Sequence, residues 1–141
     1  MNDKLTTPEH HLSDKVFFAI RILMAILFLV GGYNKLTGLE AATAYMTKLG
    51  IPMPEITVYL AFIFEFGSAL LFILGWQLKL VSYAMATFTL VATLYAHQFW
   101  NAEPAQFYGQ MVHFFKNMTI IGGFFLAAAL APRSQIQEVK E

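Results

Sequence analysis

The sequence predicts an all-α integral membrane protein: a four-helix bundle with a short interfacial helix in its first outer loop. Three observations lead there. Four long apolar runs fill most of the 141 residues, with 57% of the chain hydrophobic. Charged residues make up 13%, against about 25% in soluble domains. The runs also lack the two-residue alternation that a membrane barrel requires, so strands are a poor alternative.

A membrane-crossing helix needs about 20 mostly apolar residues. The first candidate runs from Val16 to Tyr33, interrupted by Arg21 near its start. It ends in Gly31-Gly32-Tyr33-Asn34-Lys35, not a small-x-small cleavage site, so it is expected to remain as a signal anchor. Residues Thr37 to Leu49 place Leu39, Ala42, Tyr45, Met46 and Leu49 at roughly helical spacing. That pattern predicts a short helix lying on the interface, stopped by Gly50, Pro52 and Pro54.

The second span runs from Ile56 to Trp76 around Glu65, and the third from Leu80 to Ala96 without a charge. Gln77-Leu78-Lys79 between them allows only a tight turn, which makes these helices antiparallel neighbours. The connection from His97 to Gln110 carries Phe99, Trp100, Phe107 and Tyr108, residues suited to headgroup depth. The fourth span runs from Met111 to Leu130, with Lys116 and Asn117 in its first two turns. The organisation is thus a polar tail over 1–15, the membrane domain over 16–130 and a second polar tail over 131–141.

Lysines and arginines set the expected orientation. Lys4, Lys15, Arg21, Lys79, Arg133 and Lys140 fall on one side, and Lys35, Lys48 and Lys116 on the other. The positive-inside rule puts both termini in the cytoplasm. Net charge is zero with no basic block, which disfavours nucleic acid as a partner. Cysteine is absent, excluding disulfides and thiol relays, so any redox group must come from a ligand or partner.

Charge inside a membrane is costly and usually marks a site. Glu65 lies nine residues in from Ile56, roughly 13 Å by helical rise. On the outer side, Lys35 closes the first span and His97 the third. His113, Lys116 and Asn117 begin the fourth at i, i+3 and i+4, on one helix face. The expectation is one polar pocket in the outer half, with Glu65 and Lys116 as its catalytic or proton-handling pair. Lys35, His97, Asn117 and His113 would be its ligand-binding groups.

Each has a blander reading: Glu65 paired with Lys116 or Lys35 to fix register, Lys35 snorkelling, His97 and His113 interfacial. His10 and His11 read as tail, and Arg21 and Lys79 as anchors. Thr89, Thr93 and His97 form a polar stripe that serves equally as helix packing. Gly67 and Gly122-Gly123 read first as close helix contacts. No metal is expected, because the spacings are not those of metal sites and two lysines would repel a cation. A quinone head group, which accepts hydrogen bonds from Lys, His and Asn, fits better; the cofactor itself stays unidentified.

The chain resembles the DoxX family of small bacterial four-helix inner-membrane proteins over Phe17 to Leu130. The matching pieces are Gly32-Tyr33-Asn34-Lys35-Leu36, Leu49-Gly50-Ile51-Pro52-Met53-Pro54, Glu65-Phe66-Gly67-Ser68-Ala69-Leu70-Leu71 running to Leu74-Gly75, His97-Gln98-Phe99-Trp100 and Phe115-Lys116-Asn117. The resemblance implies an inner-membrane location and an oxidoreductase-type role, with redox partner subunits. The fold it implies is also similar to vitamin K epoxide reductase-like membrane bundles, whose cysteine pair this chain lacks. The functional expectation is a quinone- or small-redox-ligand-binding oxidoreductase subunit, in contact with membrane lipid, with a homo-oligomer among the expected partners. The alternatives are a non-enzymatic scaffold whose buried charges fix packing, or a small proton-coupled transporter that would have to oligomerise.

Overall fold

The computed structural model describes residues 13–131. The two tails beyond them, with Lys4, His10, His11, Arg133 and Lys140, lie outside the described residues. Five α-helices and one 3-10 turn make up the structure: α1 Asp14–Thr37, α2 Leu39–Lys48, α3 Pro54–Leu74, α4 Leu78–Ala96, a 3-10 turn Phe99–Asn101, and α5 Pro104–Ala129. Among these residues α1, α3, α4 and α5 are each long and apolar enough to cross a membrane. The short α2 forms where the sequence predicts a short helix after the first span.

The boundaries differ mainly at α5, which starts seven residues before the expected Met111. Glu103 precedes it and Pro104 opens its first turn, where a missing N–H costs nothing. The polar composition of residues 104–110 hid this part from a reading based on hydropathy. Between α3 and α4, Gly75 and Gln77 both take positive φ, and Trp76 N–H closes on the Leu71 carbonyl. A Cβ on Gly75 would collide with the guanidinium of Arg21, so this turn is locked against α1. Arg21, read as a simple anchor, therefore also packs against the α3–α4 turn.

The four long helices run up and down, α1 packing chiefly on α3 and α4 on α5. Towards the α3–α4 turn all four meet. Phe28, Phe72 and Phe124 stack edge to face, with ring centroids 5.4 and 5.3 Å apart, beside Ala25, Ala69, Met85 and Ala127. This is the closed end. Towards α2 a cavity lies among α1, α2, α3 and α4, and a second cluster of Met46, Val58 and Ala61 ties α2 to α3. Phe64 and Phe88, stacked at 4.7 Å, bridge α3 and α4. This is the open end.

Candidate functional site

The open end holds a cavity of about 620 Å³ walled by α1, α2, α3 and α4. Its charged residues are Lys35 and Glu65, and the two form one ion pair. Lys35 Nζ lies 2.9 Å from Glu65 Oε1 and 2.8 Å from Oε2, and 3.4 Å from the Gly31 carbonyl oxygen. Helix geometry explains the meeting. Side chains tilt toward their own helix N-terminus. Lys35, one turn beyond Gly31, leans back along α1, and Glu65 on the antiparallel α3 leans toward it.

The approach is possible because two glycines face α3. A Cβ on Gly31 would sit 3.0 Å from Glu65 Oε2, and one on Gly32 would sit 3.2 Å from Phe66 Cβ. These two glycines set the α1–α3 contact, and Gly123 makes an equally close one, its Cβ position 3.0 Å from Met24 Cε. Gly67 and Gly122, which the sequence reading put in that role, face open space, while Gly123 meets Met24. Glu65 is 8% exposed, a buried carboxylate with its countercharge attached.

The remaining wall is apolar, supplied by Met46 and Leu49 of the α2 segment, Ala61 of α3 and Phe88, Val91 and Ala92 of α4. The polar contributions besides the pair come from Asn34, Tyr45, Thr57 and Tyr95. Thr57 is engaged locally, its hydroxyl donating to the Pro52 carbonyl at 2.8 Å. Sequence reading singled out Lys35 and Glu65 but not Asn34, Tyr45 or Tyr95. The usable signal was spacing: Phe88, Val91, Ala92, Tyr95 and Ala96 repeat at i, i+3, i+4, i+7 and i+8, one face of α4.

The other expected site residues gather elsewhere, so the single expected pocket is two groups. His97, at the end of α4, lies 2.8 Å through Nδ1 from Gln110 Oε1. A carbonyl oxygen only accepts, so Nδ1 carries the proton in that bond. The His97 ring stacks on His113, with centroids 5.0 Å apart and planes at 15°. Asn117 donates to Thr93 Oγ1 at 2.8 Å, joining α5 to α4. Thr89 and Thr93 bond the carbonyls one turn back, so the polar stripe on α4 serves packing against α5.

Lys116 is exposed on α5, one turn past His113, and Glu65 takes Lys35 as its partner. None of these four α4–α5 residues lines the cavity. Phe99 forms the hub of an aromatic cluster with Trp100, Phe107, Phe114 and Phe115 that caps the same end of α5.

The DoxX family profile matches residues 16–98, more than half of the chain. The chain belongs to the DoxX family. Every residue lining the cavity lies between Gly31 and Ala96, inside the matched stretch, whereas His113, Lys116 and Asn117 lie beyond it. Two relatives of this DoxX-family chain come from Escherichia coli (strain K12). The inner membrane protein YphA is 30% identical over 112 residues, 79% of this chain and 80% of the relative. The inner membrane protein YqjF is 34% identical over 121 residues, 86% of this chain and 88% of the relative. No solved structure matches. Family, relatives and the four long apolar helices together make this a multi-pass inner-membrane protein.

Proposed function

We propose that this DoxX-family protein binds a quinone or a similar small redox-active molecule in the open-end cavity, as a subunit of a membrane oxidoreductase. One observation carries the reading: a largely apolar cavity of about 620 Å³ with a Lys–Glu pair in its wall. Apolar walls with a few placed polar groups are the usual composition of small-molecule sites. A redox ligand of this type takes up and releases protons with its electrons. Glu65 and Lys35 then supply a proton-exchanging pair at the wall, and with no cysteine in the chain the electrons reside on the ligand. Asn117, His97 and Gln110 hold α4 to α5 and fix the far wall, while exposed Lys116 faces the membrane or a partner subunit.

Orientation enters the same proposal. Lys15, Arg21 and Lys79 sit at the closed end, which the positive-inside rule puts toward the cytoplasm, with the cavity toward the periplasm. Reporter fusions after Glu103 and Glu141 test this, and a cytoplasmic signal at Glu103 reverses it.

The direct test is extraction of the gently solubilised protein followed by mass spectrometry of bound lipid-soluble molecules. Enrichment of a quinone or comparable redox molecule over an unrelated membrane protein is the expected result. Recovery at the level of that control argues for the second reading, a non-enzymatic scaffold in which the pair locks α1 to α3. The saturated geometry of the pair favours that alternative enough to keep it. In the scaffold, Glu65→Gln destabilises the bundle by stranding Lys35; in the ligand reading the variant inserts and folds but loses activity.

A further inference from the structure

The cavity contains its own countercharge, and that constrains what can enter. Among its lining residues Lys35 and Glu65 are the charged ones, so its formal charge is zero. An ammonium has three N–H groups. The two Glu65 oxygens and the Gly31 carbonyl supply three acceptors for them, at 2.9, 2.8 and 3.4 Å. An anionic ligand would have to take Lys35 from Glu65 and would leave a buried carboxylate beside a second negative charge, which is strongly unfavourable. A cation meets the converse penalty. The other cationic or titratable residues expected in the pocket are not in the cavity: Lys116 and His113 are exposed on α5.

Three polar side chains on the wall remain uncommitted. The Asn34 amide and the hydroxyls of Tyr45 and Tyr95 have no hydrogen-bond partner among the described residues, and all three residues line the cavity. They come from α1, α2 and α4, so they surround the space instead of sharing one helix. The same residues mark the way in. Tyr45 on α2 is 48% exposed, and Val91 and Tyr95 on α4 are 49% and 44% exposed, although each of them lines the cavity. With exposed Asn34 of α1, they rim a mouth that opens on the flank of the membrane-spanning helices.

From these observations we infer that the cavity takes an uncharged, lipid-soluble molecule entering sideways from the bilayer. Its carbonyl or hydroxyl head bonds to Asn34, Tyr45 and Tyr95, and water-soluble ions are excluded. This rests on the ligand-binding reading above and adds the charge class of the ligand, its head-group contacts and its route.

The test compares two probes on the purified full chain in lipid nanodiscs: decyl-ubiquinone, uncharged with an alkyl tail, and anthraquinone-2-sulfonate, an anionic quinone. Binding is followed by calorimetry. Decyl-ubiquinone is expected to bind at least about tenfold more tightly than the sulfonate, an energy difference near that of one good hydrogen bond. Tyr95→Phe and Asn34→Leu, which touch neither charge, should each weaken decyl-ubiquinone by about fivefold. Glu65→Gln unmasks the ammonium and should raise sulfonate affinity by about tenfold or more.

If Glu65→Gln does not fold, the probe comparison on the unaltered chain and the two polar variants still decide the matter. Equal or tighter sulfonate binding by the unaltered chain overturns the neutral-ligand inference while ligand binding itself stands. Unchanged decyl-ubiquinone affinity in both polar variants overturns the head-group assignment. Failure of both probes to bind removes the ligand reading as well.

Discussion

The two ends of this bundle are built from different kinds of residue and do different things. At the closed end, phenylalanines and alanines from four helices interlock around Phe124, and Arg21 packs on the α3–α4 turn. At the open end, glycines bring α1 onto α3 so tightly that Glu65 is set against the α1 backbone, and a cavity separates this pair from α4. The inserted α2 supplies part of its wall. In a membrane there is little hydrophobic drive between helices, so packing contacts and polar bonds decide where they touch. Complete packing at one end is what allows incomplete packing at the other: the aromatic core holds the helices while the cavity end stays open.

The comparison breaks most directly at the closed end. Phe124→Ala removes the ring that both Phe28 and Phe72 meet, and a buried Phe→Ala change costs about 3–5 kcal/mol in soluble proteins. Lipid solvates apolar surface, so the membrane value falls toward or below the lower bound, yet this variant should give the largest loss of thermal stability. A melting temperature in mild detergent within error of the unaltered chain would contradict a closed-end core.

Gly31→Val should come next, because its Cβ would press on Glu65 Oε2 and its branches on Lys35; overpacking of this kind costs about 1–3 kcal/mol. The distinguishing result is loss of decyl-ubiquinone binding at temperatures where the bundle is still folded. Asn117→Leu removes the α5–α4 bond to Thr93, an interhelical hydrogen bond of about 0.6–1.7 kcal/mol, and should lower stability modestly and weaken ligand binding only slightly, by loosening the α4 wall. Lys116→Met should be smallest, within about 0.5 kcal/mol, since the exposed lysine holds no contact in either end's core. A large effect on ligand binding there would return Lys116 to the site and undo the division into two polar groups.

Much of this was legible in the chain. Four spans, the amphipathic α2 and the tight α3–α4 turn follow from run length, spacing and breakers. Lys35 and Glu65 stood out because each is a charge that hydrocarbon penalises. The partner of Glu65 did not stand out. Lys35 and Lys116 are equivalent on hydropathy, and which one reaches Glu65 depends on the rotation of α1 and α5 about their axes. The tyrosines and Asn34 escaped notice because an amphipathic side chain near a span end is ordinary at a membrane interface. Only its inward placement makes it a wall residue. The early start of α5 was hidden by the polarity of residues 104–110, which says loop unless the aromatic cluster around Phe99 is seen holding them.

By itself, then, the sequence determined the class of the protein, the number and order of its helices and the pair of charges to explain, because burial of charge and backbone in lipid is penalised wherever it occurs along the chain. Tertiary structure alone decided that those charges neutralise each other, that Lys116 lies exposed on α5, and that a cavity forms among α1, α2, α3 and α4. The physical reason is that pairing and cavity shape depend on helix rotation and approach. Those are set by contacts such as Gly31 on Glu65 and Phe28 on Phe124, between residues dozens of positions apart.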